Sequence, residues 1–281
     1  MKIALIGAKG MLGSALVPLL SKSNDVISVD RKILDITKMD RVLSFFKNNI
    51  VDIVINCAAY TDVDKCELDS DSAFLVNAIG ARNLAVACHQ INAAILHVST
   101  DYVFDGEKGT PYFESDACNP INVYGKTKLA GEHFVKSMNN KHYIVRTQWL
   151  FGENGKNFVD SIKRLAKERE AITVVNDQYG SPTYTLDLAH ALCELIKSSE
   201  YGTYHITNSD TVSWYQFACE IISQLKIKNV TVSPCNSCQY KTIAKRPSFG
   251  VLKNYFWCIQ GHKPLRSFRL ALADYLQSIK Q

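Results

Sequence analysis

The sequence predicts an α/β fold: a doubly wound parallel sheet followed by a smaller α/β region. Three observations predict it. Short apolar runs alternate with stretches of helical period through about residue 150. A glycine-spaced turn, Gly7-Ala8-Lys9-Gly10-Met11-Leu12-Gly13, joins the first apolar run to the first helix. After Thr147-Gln148-Trp149-Leu150-Phe151-Gly152 the alternation loosens into shorter elements and polar loops.

Lys2 to Gly7 reads as a strand and Met11 to Leu20 as a helix. Glycine between them lets the turn tighten and lets the backbone approach a pyrophosphate, which the helix N-terminus attracts with free N–H groups. Val26 to Val29 forms the second strand and ends in Asp30-Arg31. An aspartate there suits ribose hydroxyls, and Arg31 suits a 2′-phosphate, so NAD and NADP both stay open. Thr37 is the expected cap of a helix carrying Val42, Phe45 and Phe46, with Asp40 completing a variant capping box.

Asp52 to Asn56 is the third strand. The small residues of Cys57-Ala58-Ala59-Tyr60 after it leave room for a ligand at the sheet's edge. A long helix is expected from Ser70 or Asp71 through His89, with Asn77 inside it either solvated or buried to fix a backbone group or a water. Ala93 to Val98 is a buried strand leading into Ser99-Thr100-Asp101-Tyr102-Val103-Phe104-Asp105-Gly106. Asn122 caps a helix to about Met138, on which Tyr124 and Lys128 share one face. A strand-end hydroxyl can meet a phenol and an ammonium there. An ammonium beside a phenol lowers the phenol pKa, and such a tyrosine exchanges a proton with an alcohol or ketone oxygen.

His142 to Arg146 is a further strand. Beyond it come a helix over 157–167, a strand over 172–175, a polar loop over 176–183 and a helix over 185–198. Tyr204-His205-Ile206 reads as a strand rejoining the main sheet, Ser213 caps a helix to Leu225, and a last helix starts near Leu265. The predicted division is a Rossmann-type nucleotide-binding domain over 1–150, with 183–207 returning to it, and a substrate-binding region over 151–182 and 208–281.

A net charge of +5 over 281 residues permits a basic pocket but does not argue for nucleic acid. No apolar run reaches membrane length, and nine scattered cysteines behind Met1-Lys2-Ile3 suggest reduced thiols in the cytoplasm. Cys235-x-x-Cys238 lacks a second ligand pair, so no metal is expected.

Together these pieces resemble the extended short-chain dehydrogenase/reductases, and within them the reductases of dTDP-linked 4-keto-6-deoxy sugars. The resemblance runs from the glycine turn through Asn56-Cys57-Ala58-Ala59-Tyr60-Thr61-Asp62-Val63-Asp64-Lys65 and the Thr100 segment to Tyr124-Gly125-x-x-Lys128-x-x-Gly131-Glu132. It continues in Arg146-Thr147-x-Trp149, Asn176-Asp177-Gln178-x-Gly180-x-Pro182-Thr183 and Lys245-Arg246-Pro247. It implies a cofactor, NADPH or NADH, lined by Met11, Leu12, Asp30, Asp35, Ile36, Ala58, Ala59 and Tyr60 beside the glycines. It also implies a catalytic triad of Thr100, Tyr124 and Lys128, and sugar contacts from Thr100, Asp101 and Trp149. Arg246 suits the diphosphate. The resemblance is compatible with a homodimer, but Ala15 stands where some members carry a glutamate that bridges a dimer through magnesium. Cys57 and Gln148 replace smaller neutral residues. An epimerase or dehydratase of nucleotide sugars, and a non-catalytic regulatory subunit like that of methionine adenosyltransferase, are the competing readings. The lack of a second carboxylate after Asp101 weighs against dehydration.

Overall fold

The computed structural model describes residues 1–279. Its centre is a six-stranded parallel sheet. Five strands come from the first half: β1 (Lys2–Ile6), β2 (Asp25–Val29), β3 (Ile53–Asn56), β4 (Ala94–Thr100) and β5 (His142–Thr147). The sixth, Gly202–His205, pairs with β5, so the order is Gly202–His205, β5, β4, β3, β1, β2. Isoleucine, leucine and valine fill both faces of β1, β3 and β4, as a sheet covered by helices on each side requires.

One helical layer is α1 (Met11–Leu20) with Thr185–Leu195. The other is α2 (Met39–Asn48), α5 (Ala81–Gln90) and α6 (Val123–Met138). The order of strands reverses at β1, where β2 lies on one side and β3 on the other, so a crevice opens above the carboxyl end of β1. A separate apolar cluster joins Phe158–Glu168, Trp214–Gln224 and Phe268–Ser278 around Phe151, Phe217 and Tyr275. The strand Thr231–Cys235 pairs in parallel with Ala171–Val175 beneath these helices.

Several local expectations are met closely. Asn122 Oδ1 accepts from Gly125 N at 2.8 Å, and Ser213 with Gln216 forms a capping box. Thr37 does not cap α2: its hydroxyl donates to Asp35 Oδ1 at 2.7 Å, and the cap position falls to Lys38 without a side-chain bond. Asp35 Oδ1 also accepts from Thr37 N at 3.0 Å, and this local turn leaves Thr37 one residue ahead of the cap position. The long helix expected over 70–89 is interrupted. It comprises α4 (Ser70–Phe74), a π-helical stretch Leu75–Gly80 and α5, after a short helix α3 (Val63–Leu68) that the sequence reading did not anticipate.

Candidate active site

The glycine turn shapes the crevice. Gly7 has φ +79°, and a Cβ there would lie 2.8 Å from Ala58 N. A Cβ on Gly13 would lie 2.2 Å from Gly7 O, so only glycine lets α1 start this close to β1. Above the turn is a cavity of about 610 Å³. Gly7, Gly10, Asp30 and Arg31 line one part of it, and Asp35, Ile36, Ala58, Ala59 and Tyr60 line another. Ile6, Lys9, Lys32, Leu34, Thr37, Cys57 and Val76, none of them expected as cofactor-lining, complete the wall. The side chains of Met11 and Leu12 do not line it. Leu12 is core, and Met11 faces a separate cleft with Ser14 and Ala15. Their backbone N–H groups nonetheless lie in the first turn of α1, where no intrahelical acceptor precedes them.

Asp30 accepts backbone N–H bonds from Lys32 and Ile33 at 2.9 and 3.1 Å and pairs with Lys9. The hydrogen bond from Lys9 holds its carboxyl below the usual range. The dinucleotide fits this cavity: the volume suits it, the glycines clear the backbone path, and the rim carries both the carboxylate and the basic groups of Lys9, Arg31 and Lys32.

One amide ties the cavity wall to α6. Asn77 Oδ1 accepts from Tyr60 N at 2.8 Å, while Nδ2 donates to Tyr60 O at 3.1 Å and Thr127 Oγ1 at 3.0 Å. The π-helical stretch carries this buried side chain, so the backbone-fixing alternative for Asn77 is the one realised. α6 itself approaches closely through glycine. A Cβ on Gly125 would lie 2.0 Å from Tyr102 O, and one on Gly131 would lie 2.3 Å from Asn77 O.

Thr100 ends β4 opposite Thr147 on β5. Its hydroxyl donates to Asp101 Oδ1 at 3.0 Å, accepts from Tyr102 N at 3.2 Å, and lies near enough to the Tyr124 phenol to draw that phenol's pKa down. Tyr102 packs edge-on against the Tyr124 ring at 5.5 Å. Enclosure by protein atoms pushes the Tyr124 phenol above its usual pKa, opposed by the Thr100 hydrogen bond and reinforced by the nearby Asp101 charge. Burial likewise pushes Asp101 up to about 7.

Lys128 lies on the same face of α6 as Tyr124 but does not lower the tyrosine as expected. Its Nζ turns into the sheet and donates to Val98 O at 2.6 Å, with His97 Nε2 at 3.4 Å. Asn56 fixes the histidine's tautomer: its Oδ1 accepts from Ala58 N at 3.1 Å, so its Nδ2 donates to His97 Nδ1 at 3.0 Å. The imidazole proton therefore sits on Nε2, facing the amine. Burial lowers Lys128 to about 8, against the pull of Glu132 and Cys57. The same face holds a buried ion pair, Arg146 to both oxygens of Glu132 at 2.9 and 2.7 Å, with Ser99 Oγ donating at 2.6 Å. None of His97, Asn56 or this pair was singled out as functional from sequence. The signals were polar residues inside otherwise apolar strands, for Asn56, His97 and Arg146, and the place of Asn56, Glu132 and Arg146 in the motifs that carry the resemblance.

A second cleft of about 320 Å³ lies beyond Tyr102. Arg246 lines it, paired with Asp64 at 3.1 Å and with its Nη1 buried and unpartnered within the protein. Gln178, Trp214, Tyr240 and Thr242 face the same space. Trp149 stacks on Trp214 at 3.5 Å between ring centres, which fixes its indole plane.

The family model described as the RmlD substrate binding domain matches residues 1–281. A dTDP-4-dehydrorhamnose reductase of Aggregatibacter actinomycetemcomitans is 40% identical, over 99% of this chain and 97% of its own length. Among solved structures, a dTDP-4-dehydrorhamnose reductase of Clostridium acetobutylicum superposes with a TM-score of 0.98 at 44% identity, covering 100% of both chains. One from Bacillus anthracis, in complex with NADP, gives 0.96 at 41% identity, covering 100% of this chain and 99% of its own.

Proposed function

The chain belongs to the family described as the RmlD substrate binding domain, and from that premise we propose that it is a dTDP-4-dehydrorhamnose reductase. With NADPH or NADH it reduces the 4-keto group of dTDP-4-dehydro-6-deoxy-L-mannose to give dTDP-L-rhamnose. The observation that carries the reading is Tyr124 on α6, packed on Tyr102 and set by the bonded Thr100–Asp101 pair at the carboxyl end of β4. Tyr60 leads from there to the glycine-cradled cavity, and Tyr102 to the Arg246 cleft.

When bound, the reduced nicotinamide supplies a hydride to the C4 carbonyl carbon. Tyr124 is protonated at neutral pH and donates its proton to the C4 oxygen as charge develops there. Thr100, whose hydroxyl donates to Asp101 in the free protein, would turn that proton to the same oxygen. Such a proton transfer contributes roughly 10²–10⁴ in rate. Lys128, one turn along α6, would hold the nicotinamide ribose. Its lowered pKa lets it give up a proton near neutral pH. Gly7, Gly10 and the first N–H groups of α1 would hold the pyrophosphate, and Asp30 with Arg31 the adenosine ribose. The free Nη1 of Arg246 suits the diphosphate of the sugar nucleotide, and Trp149, held flat against Trp214, suits the sugar.

In this reading residues 1–150 with 183–207 serve the cofactor, and 151–182 with 208–281 serve the sugar nucleotide. The enzyme is cytoplasmic, and a homodimer, if formed, needs no metal bridge at Ala15. The test is a coupled assay in which the 4-keto sugar nucleotide is generated in place. Oxidation of NADPH or NADH should require that substrate and yield dTDP-L-rhamnose. No turnover with either cofactor would return the chain to the class of non-catalytic binding subunits.

A further inference from the structure

Gln148 follows Thr147, the residue paired with Thr100 across β4 and β5. It is 3% exposed, yet neither its Nε2 nor its Oε1 has a hydrogen-bond partner in the protein. The Thr147 hydroxyl beside it is also unpartnered. A buried amide without partners costs stability, so its retention calls for something outside the fold to satisfy it.

Two glycine backbones close on the amide. A Cβ on Gly180 would lie 2.6 Å from Gln148 Oε1. A Cβ on Gly250 would lie 2.6 Å from Asp101 Oδ2 and 3.7 Å from Gln148 Oε1. Neither glycine has a positive φ, so what they preserve is room, not an unusual backbone. The other oxygen of Asp101 accepts from Thr100. One carboxyl group thus reaches from the Thr100 hydroxyl to the glycine backbone beside the amide.

In a 4-keto-6-deoxyhexose, one ring neighbour of the reacting carbon bears a methyl group and the other, C3, bears a hydroxyl. We propose that Gln148 is a specificity residue: its amide, together with Asp101, reads the C3 hydroxyl of the sugar. An amide donates and accepts, which matches a hydroxyl that does both. The proposal rests on the reductase reading.

The test compares wild type with Gln148→Met, which keeps length and removes both polar atoms. Each is assayed on the parent sugar nucleotide and on its 3-deoxy counterpart. The variant should lose about tenfold or more in kcat/KM on the parent and nothing on the 3-deoxy compound. Its cofactor affinity should be unchanged, and its Tm should equal or exceed that of wild type, because an amide with no protein partner supports no fold. Equal losses on both substrates, a lower Tm or a failure to fold would each mean a structural role and overturn the proposal. Undiminished turnover on the parent would mean that a buried water alone satisfies the amide, and would overturn it too. Wild type inactive on the parent with both cofactors would sink the reductase reading, and this proposal with it.

Discussion

Replacing Lys128 by methionine should change stability in a pH-dependent way. The amine is 1% exposed and burial lowers its pKa from 10.5 to about 8. Unfolding returns it to its ordinary value. Between those two pH values the unfolded chain binds more protons than the folded one, so wild-type stability contributed by this group rises with pH. At neutral pH the buried ammonium costs up to roughly 3 kcal/mol, at about 1.4 kcal/mol per pK unit. Methionine removes that cost but strands Val98 O, a pH-independent loss of about 1–3 kcal/mol. Urea unfolding of both proteins from pH ~7 to ~10 isolates the effect, because every other titrating group cancels in the difference. Wild type minus variant should climb by roughly 3 kcal/mol across that range. Parallel curves would refute the reasoning and mean that Lys128 carries its charge in the fold as it does in water.

Tyr124→Phe should cut kcat by about a hundredfold or more with cofactor binding near normal, measured by steady-state kinetics and NADPH fluorescence titration. Undiminished turnover would remove Tyr124 from the acid role. Arg31→Ala should raise the KM for NADPH about tenfold and leave that for NADH unchanged, since Lys9 already occupies Asp30 and Arg31 lines the same rim. Equal changes for both cofactors would place Arg31 away from the 2′-phosphate. Glu132→Gln should destabilise by about 3–5 kcal/mol in urea titration, because it leaves the Arg146 charge buried with a neutral partner. A loss below ~1 kcal/mol would mean that Arg146 finds another partner.

The sheet, the glycine turn and the face shared by Tyr124 and Lys128 were legible because each rests on a local pattern: a continuous apolar run, period 3.6, or glycine where no side chain fits. The return of Gly202–His205 to the sheet was legible too, from its β-branched and aromatic pattern. What local spacing cannot carry is partnership over distance. Lys128 bonds a carbonyl on a neighbouring strand, and its neighbour His97 takes its tautomer from Asn56, 41 positions earlier. His97 alternates within an apolar strand and so reads as core. The π-helical stretch at Leu75–Gly80 has no periodic signature of its own, since one widened turn is too short to shift the pattern around it. Thr37 failed as a cap because Asp35, two residues away, holds it in a local turn one residue ahead of the helix.

The strand Gly202–His205 has a consequence for how the protein is made. Until the ribosome has passed residue 205, β5 is an open edge, and Leu188, Leu192 and Leu195 have not yet covered that side of the sheet. The nucleotide-holding half therefore cannot be finished as an autonomous N-terminal fragment. A chain stopped near residue 150 would expose Tyr143 and Val145 and offer its unpaired strand to other copies, so truncation at the apparent boundary should yield aggregates instead of a small stable domain.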